Sequence, residues 1–232
     1  MIRYSKYVML LAIPATILTS CKQDFLELNP PTSLTPDVAL ATEADLQVAL
    51  RGAYAGLRYG VSASSGFVAD NFGRTIPVLG DVMADNAYQH STNTNRYTLF
   101  NNYSFTGADG NANGVWTASY NTILRANNII NSSLASNANI DQYKGEAYAI
   151  RALSYFTLIR YFARPYTDNP DAAGVPITTS YSPNAKPARN KVSEVYNLII
   201  SDLNQAYTLM TKFTNSSQFS KYAAKALQAK VY

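Results

Sequence analysis

The longest unbroken pattern in the chain runs from Gly145 to Ala163, without a proline and with its only glycine at the start. Apolar residues recur at Ala149, Ala152, Leu153, Phe156, Ile159 and Ala163, and a second stripe carries Ala147, Ile150, Leu158 and Tyr161. Both follow helical spacing. A helix apolar on two sides belongs between other helices, not on a surface. Ala152 one turn before Phe156 lets a neighbour approach at the small residue and be held by the ring.

Four further helices are predicted. Thr42-Glu43-Ala44-Asp45 reads as a capping box and opens a helix with Leu46, Leu50, Ala53 and Leu57 on one side and Tyr54 beside them. The Ser- and Gly-rich run Gly60 to Gly66 should end it. Trp116 is expected to start the next helix, with Tyr120, Ile123, Asn127, Ile130 and Leu134 at helical steps. Asn127 falls on that apolar stripe, so it needs internal hydrogen-bond partners and should tie a loop backbone to the helix. Asn190 is the expected cap of a helix striped by Val192, Tyr196, Ile199, Leu203, Ala206 and Met210. Ser220 opens a last helix with Ala223, Ala224, Leu227 and Val231. The small-then-aromatic device is one that tetratricopeptide helix pairs use. The predicted fold is therefore mostly α, a tetratricopeptide-like helical-repeat scaffold with a long irregular insertion rich in aromatic residues and asparagine. Repeat arrays need polar ends, and the finish at Tyr232 without a polar last turn or a cap suggests a fragment of a longer protein.

Two stretches break the helical pattern. Val61 to Gly114 has no sustained period but scatters Phe67, Phe72, Tyr88, Tyr97, Phe100, Tyr103 and Phe105 among glycines and asparagines. A loop of this length is functional or disordered, and its aromatic content argues against disorder. Arg164 to Arg189 holds five of the ten prolines and is expected to be an ordered, irregular crossover.

The N-terminus has a different character. Met1 to Ser20 carries Arg3 and Lys6 and then an apolar run too short to span a bilayer comfortably. It matches a secretory signal peptide. Leu18-Thr19-Ser20-Cys21 follows and resembles a bacterial lipobox, whose cysteine is acylated, with palmitate among the expected chains. Cys21 is the only cysteine, which excludes an internal disulfide or a cysteine-based metal cluster. The expected organisation is a signal peptide over residues 1–20, an extended tether from lipidated Cys21 over 21–41, and a helical domain over 42–232.

Composition narrows the function. Without Arg3 and Lys6 the chain has 17 positive residues against 15 negative, which is no electrostatic footprint for nucleic acid. Eighteen tyrosines suit wet, hydrogen-bonding surfaces that can stack on flat or sugar-like ligands.

Cys21 is followed by Asp24-Phe25-Leu26-Glu27, then by Leu50-Arg51-Gly52-Ala53-Tyr54, Trp116, Tyr120 and Ala126-Asn127. Gly145-Glu146-Ala147, Arg151-Ala152-Leu153, Tyr155-Phe156 and Gly174-Val175-Pro176 come next, and then Val195-Tyr196, Ile200, Asp202-Leu203 and Ala206. This ordered set resembles the N-terminal part of the SusD/RagB family of outer-membrane nutrient-binding lipoproteins. The resemblance implies a cell-surface, lipid-anchored protein of the outer membrane. It implies a partnership with a SusC-like TonB-dependent transporter and capture of a glycan, peptide or other nutrient. It also implies that much of the ligand surface comes from the irregular segment before the second helix and from C-terminal loops absent here.

Sugar binding needs aromatic faces and planar polar groups. Asp81, Asp85, Asn86, Tyr88, Arg96 and Tyr97 supply that mixture in one irregular stretch. Taken singly, Tyr88 and Tyr97 could instead pack the loop onto the scaffold, and Asp81 could cap a turn. Asp109-Gly110-Asn111-Ala112-Asn113-Gly114 starts like a calcium loop, but its twelfth position is Tyr120 where a glutamate is needed, so an asparagine-glycine turn is expected. His90 is the only histidine and has no companions for a triad or a zinc site. No catalytic residues, cofactor or metal are expected. The reading is a non-enzymatic glycan-binding subunit. Its alternatives are a surface glycoside hydrolase working through paired carboxylates such as Asp81 and Asp85, or a helical-repeat adaptor for protein alone.

Overall fold

The computed structural model describes residues 36–62, 66–68, 71–92 and 96–232. The expected signal peptide, Cys21 and most of the tether lie outside the described residues. The end of the expected tether is not extended, because Pro36–Ala39 form one helical turn, α1. The other elements are α2 (Glu43–Arg58), β1 (Gly60–Ser62), β2 (Gly66–Val68), α3 (Thr75–Met83), α4 (Thr98–Asn101), α5 (Gly110–Ile130), α6 (Ala138–Phe162), α7 (Val192–Leu209) and α8 (Lys221–Val231). The Ser/Gly run after α2 does more than end it: β1 and β2 pair antiparallel, with Val61 opposite Phe67.

Local chemistry explains where the helices begin. The Thr42 hydroxyl accepts the Asp45 N–H and the Asp45 carboxylate accepts the Thr42 N–H, a complete capping box. Ser220 caps α8 through the Ala223 N–H, and Asn137 caps α6 through the N–H groups of Asn139 and Ile140. Helix α5 starts six residues before Trp116. Asp109 accepts the N–H groups of Asn111 and Ala112, so Asp109 to Gly114 is a cap and a first helical turn, not the expected asparagine-glycine turn. Asn190 is not the cap of α7 either. Glu194 reaches back to the Lys191 N–H and the Asn190 side-chain amide, while the Asn190 side-chain oxygen accepts the N–H of Ile177.

Helices α2, α5, α6, α7 and α8 form the tetratricopeptide-like scaffold, each packed on the next, and α6 also reaches α2 and α8. Its apolar residues enter two cores, and the second stripe divides, with Ala147 and Ile150 in one core and Leu158 in the other. Ala147 and Ile150 meet Leu46, Leu50 and Ala53 of α2 and Ala126 and Ile129 of α5. Ala149, Ala152, Tyr155, Phe156, Leu158 and Ile159 meet α7, Val175 of the crossover and Ala224 of α8. At Gly145 a Cβ would lie 2.7 Å from Met210 Cγ, so the close approach of α7 requires glycine there.

The crossover is irregular but ordered, because polar side chains of α5 and α6 satisfy its backbone. Tyr120 donates to the Pro176 carbonyl at 2.7 Å and Asn127 to the Thr178 carbonyl at 2.8 Å. The Tyr155 hydroxyl donates to the same carbonyl and accepts the Thr178 N–H. Asn127 therefore ties a loop to its helix, as its place on an apolar stripe demanded. Glu146 and Arg151 serve different neighbours. Glu146 accepts the Tyr54 hydroxyl of α2 at 2.6 Å. Arg151 clamps Asp202 of α7 through Nε and Nη2 at 2.8 and 2.7 Å and donates to Asn127 Oδ1 at 2.8 Å. Burial lifts the Asp202 carboxyl above its ordinary range against the downward pull of Arg151. Among the described residues, no helix is long and apolar enough to cross a membrane.

Candidate functional site

The insertion between α2 and α5 contains a nine-residue helix that its sequence conceals. Pro77 and Gly80 punctuate Thr75–Met83, yet a proline in the first turn lacks only an N–H that has no helical partner there. Leu79 and Val82 of α3 bury against Phe100 of α4, with Val78 and Tyr97 packed alongside, forming a small third core. Phe105 stacks on Phe100 with ring centroids 4.7 Å apart. The Tyr161 hydroxyl of α6 donates to the Ile76 carbonyl at 3.1 Å. Between this pad and the scaffold lies an apolar cleft of about 250 Å3, lined by Met83, Phe100, Phe105, Val115 and Phe162 among others.

One side chain organises the loop from α3 to α4. Gln89 donates its N–H to Asn101 Oδ1 and its side-chain amide to the Thr98 hydroxyl, and its side-chain oxygen accepts the Tyr97 N–H at 2.7 Å. The Arg96 carbonyl accepts from Asn111 of α5. Arg96 and Tyr97 are thus fixed to the same loop that carries Tyr88.

The six sequence candidates occupy this segment in different settings. The Asp81 carbonyl accepts the N–H groups of Asn86 and Ala87, closing the end of α3, while its carboxylate is exposed. Asp85, Asn86 and Arg96 are exposed, and Tyr88 is 79 % exposed. Tyr97 is half-buried against the third core, and its hydroxyl is buried without a hydrogen-bond partner among the described residues. His90 is exposed, its Nδ1 bonded to the Thr92 hydroxyl.

Sequence reasoning passed over Tyr103. Among the described residues, Asp85 and Tyr103 are the non-glycine residues with left-handed backbones, at φ 57° and 50°. This conformation is uncommon for a bulky residue and concentrates at functional sites. The two meet. The Tyr103 hydroxyl donates to the Met83 carbonyl at 2.7 Å and lies 3.5 Å from Asp85 Oδ1, and Tyr103 remains 57 % exposed. No sequence signal marks a tyrosine for a left-handed backbone, so only its place among the loop aromatics could have drawn attention to it. The segment offers exposed phenol rings, carboxylates, an amide and a guanidinium. Such a surface suits hydrogen bonding to vicinal hydroxyls with stacking on a sugar face.

A SusD-like family described as starch-binding and associating with the outer membrane matches residues 24–232. A SusD-like protein of Formosa agariphila is 28% identical over 229 residues, which cover 96% of this chain and 41% of that protein. A SusD superfamily protein from Bacteroides thetaiotaomicron superposes with a TM-score of 0.69 at 27% identity, over 82% of this chain and 42% of the other. A crystal structure with xylogluco-oligosaccharide superposes with a TM-score of 0.61 at 26% identity, over 79% of this chain and 34% of the other. The chain spans about two fifths of the length of the curated relatives it matches.

Proposed function

The chain belongs to the SusD-like family, and we propose that it is a non-enzymatic carbohydrate-binding protein whose ligand surface is the segment from Asp81 to Tyr103. The observation that carries this reading is the pairing of Asp85 and Tyr103, two left-handed residues held together in the segment that exposes Tyr88 three residues after Asp85. In this reading Tyr88 and Tyr103 offer ring faces to a pyranose. Asp81, Asp85, Asn86 and Arg96 take its hydroxyls, and Tyr97 holds the loop to the third core. The family description and the bound oligosaccharide in a structural neighbour support the ligand class.

The family and the N-terminal pattern support the remaining parts of this reading. Residues 1–20 are removed as a signal peptide, and Cys21 carries the lipid that anchors the protein to the outer membrane at the cell surface. Residues 42–232 form the N-terminal helical domain of a longer protein. A SusC-like TonB-dependent transporter receives the captured glycan.

Affinity electrophoresis of the purified chain in gels containing starch or xyloglucan tests the reading. Retardation without release of reducing ends is expected, together with its loss in Tyr88→Ala. Release of reducing ends would establish a hydrolase instead. Unretarded migration in both gels, alongside binding of a transporter, would leave the adaptor.

A further inference from the structure

A second concavity, of about 390 Å3, lies between α2, the N-terminal half of α6 and the loop from α7 to α8. It shares no residue with the Asp81–Tyr103 surface, and its volume is within the range of small-molecule clefts, about 300–1,000 Å3. Glu146 forms part of its lining and is 1% exposed.

Backbone donors fix the direction of every hydrogen bond that ends on Glu146. The N–H groups of Thr211 and Lys212 both donate to Gln142 Oε1, at 3.1 and 3.0 Å. That sets the amide, so Gln142 Nε2 donates to Glu146 Oε1 at 2.8 Å. The Phe219 N–H donates to the Tyr54 oxygen at 2.7 Å, leaving the Tyr54 proton for Glu146 Oε2 at 2.6 Å. Both chains terminate at Glu146, which is therefore held as an acceptor. A carboxylate has about four acceptor positions, so roughly two remain. No cation is paired with it among the described residues. Burial pushes its carboxyl above the ordinary range, while the bonds from Tyr54 and Gln142 pull it back.

Two cations line the same cavity. Arg51 makes no hydrogen bond or ion pair among the described residues, and Lys212 gives one proton to Asn139 Oδ1 and keeps two. A ligand that satisfies this lining brings an anionic group to Arg51 and Lys212 and a hydroxyl donor to Glu146. A neutral sugar leaves both cations unmatched, and a ligand anionic at both ends sets like charge against Glu146. We propose that the cavity binds an acidic monosaccharide, with its carboxylate on Arg51 and Lys212 and a ring hydroxyl donating to Glu146.

Titration calorimetry of the purified chain with sodium glucuronate and with glucose tests this. Saturable binding of glucuronate, weakened by added salt, is expected without saturable binding of glucose. Arg51→Gln combined with Lys212→Gln should weaken glucuronate binding by about tenfold or more without moving the thermal midpoint, since both side chains are exposed. Tyr88→Ala should leave glucuronate binding unchanged, which separates this cavity from the glycan surface. Absence of saturable glucuronate binding would overturn the proposal. So would a double variant that binds as tightly as the parent, or a loss of binding in Tyr88→Ala.

Discussion

The Arg151 network and the Asp81–Tyr103 segment are built from the same residue types and use them in opposite ways. Inside the scaffold, Arg151, Asp202, Asn127 and Tyr155 turn their polar atoms toward one another and toward the crossover backbone. In the segment, Asp81, Asp85, Asn86, Tyr88 and Arg96 are exposed, and the polar work of holding the loop falls to Gln89. A buried polar group without a partner costs about 1–3 kcal/mol, and the Arg151 network avoids that cost by pairing its members internally. The segment leaves its groups to water, and they stay available to a ligand. Composition alone does not separate structural polar residues from binding ones; the destination of their hydrogen bonds does.

The largest expected effect comes from breaking the scaffold network. Arg151→Met strands Asp202, which is 2% exposed, and should lower stability by about 3–5 kcal/mol in urea denaturation. Adding Asp202→Leu should recover much of that loss. A loss below about 1 kcal/mol, the scale of a surface pair, would mean that Asp202 finds water and that the contrast between the regions is overstated.

Next in size is Asn127→Ala. It removes one donor from the Thr178 carbonyl and leaves Arg151 Nη1 unpaired, for about 1–3 kcal/mol. Faster proteolysis within residues 164–189 should accompany it, because the crossover loses a tie.

A smaller effect is spread over pH. The Glu146 carboxyl is raised by burial in the folded state. From its ordinary 4.5 upward, the folded protein keeps a proton that the unfolded chain has released. Stability contributed by this group is therefore present at lower pH and lost as pH rises through the raised value. Thermal midpoints across that window should fall with pH, and Glu146→Gln should flatten the slope.

The smallest change in stability belongs to Tyr88→Ala, within about 0.5 kcal/mol, with retention in starch or xyloglucan gels reduced. Tyr97→Ala should instead lower the thermal midpoint, since its ring packs against the third core. Equal destabilisation by the two variants would erase the distinction between a ring facing solvent and a ring inside the pad.

Periodicity and end signals determined most of the scaffold. A helix apolar on two sides had to lie between neighbours, Thr42 and Ser220 carry their own cap chemistry, and Asn127 on an apolar stripe had to find partners inside. These are local rules of spacing and hydrogen bonding. Where the structure departs from these local rules, a side chain meets a competing partner. Asp109 stabilised a helical start ahead of Trp116, and Ile177 took the Asn190 oxygen expected at a cap. Pro77 and Gly80 hid α3, whose burial depends on Phe100, some twenty residues away. The left-handed pairing of Asp85 with Tyr103 and the convergence of two hydrogen-bond chains on Glu146 were decided only by tertiary structure. Each depends on contacts between residues far apart in the chain, and no local preference encodes such contacts.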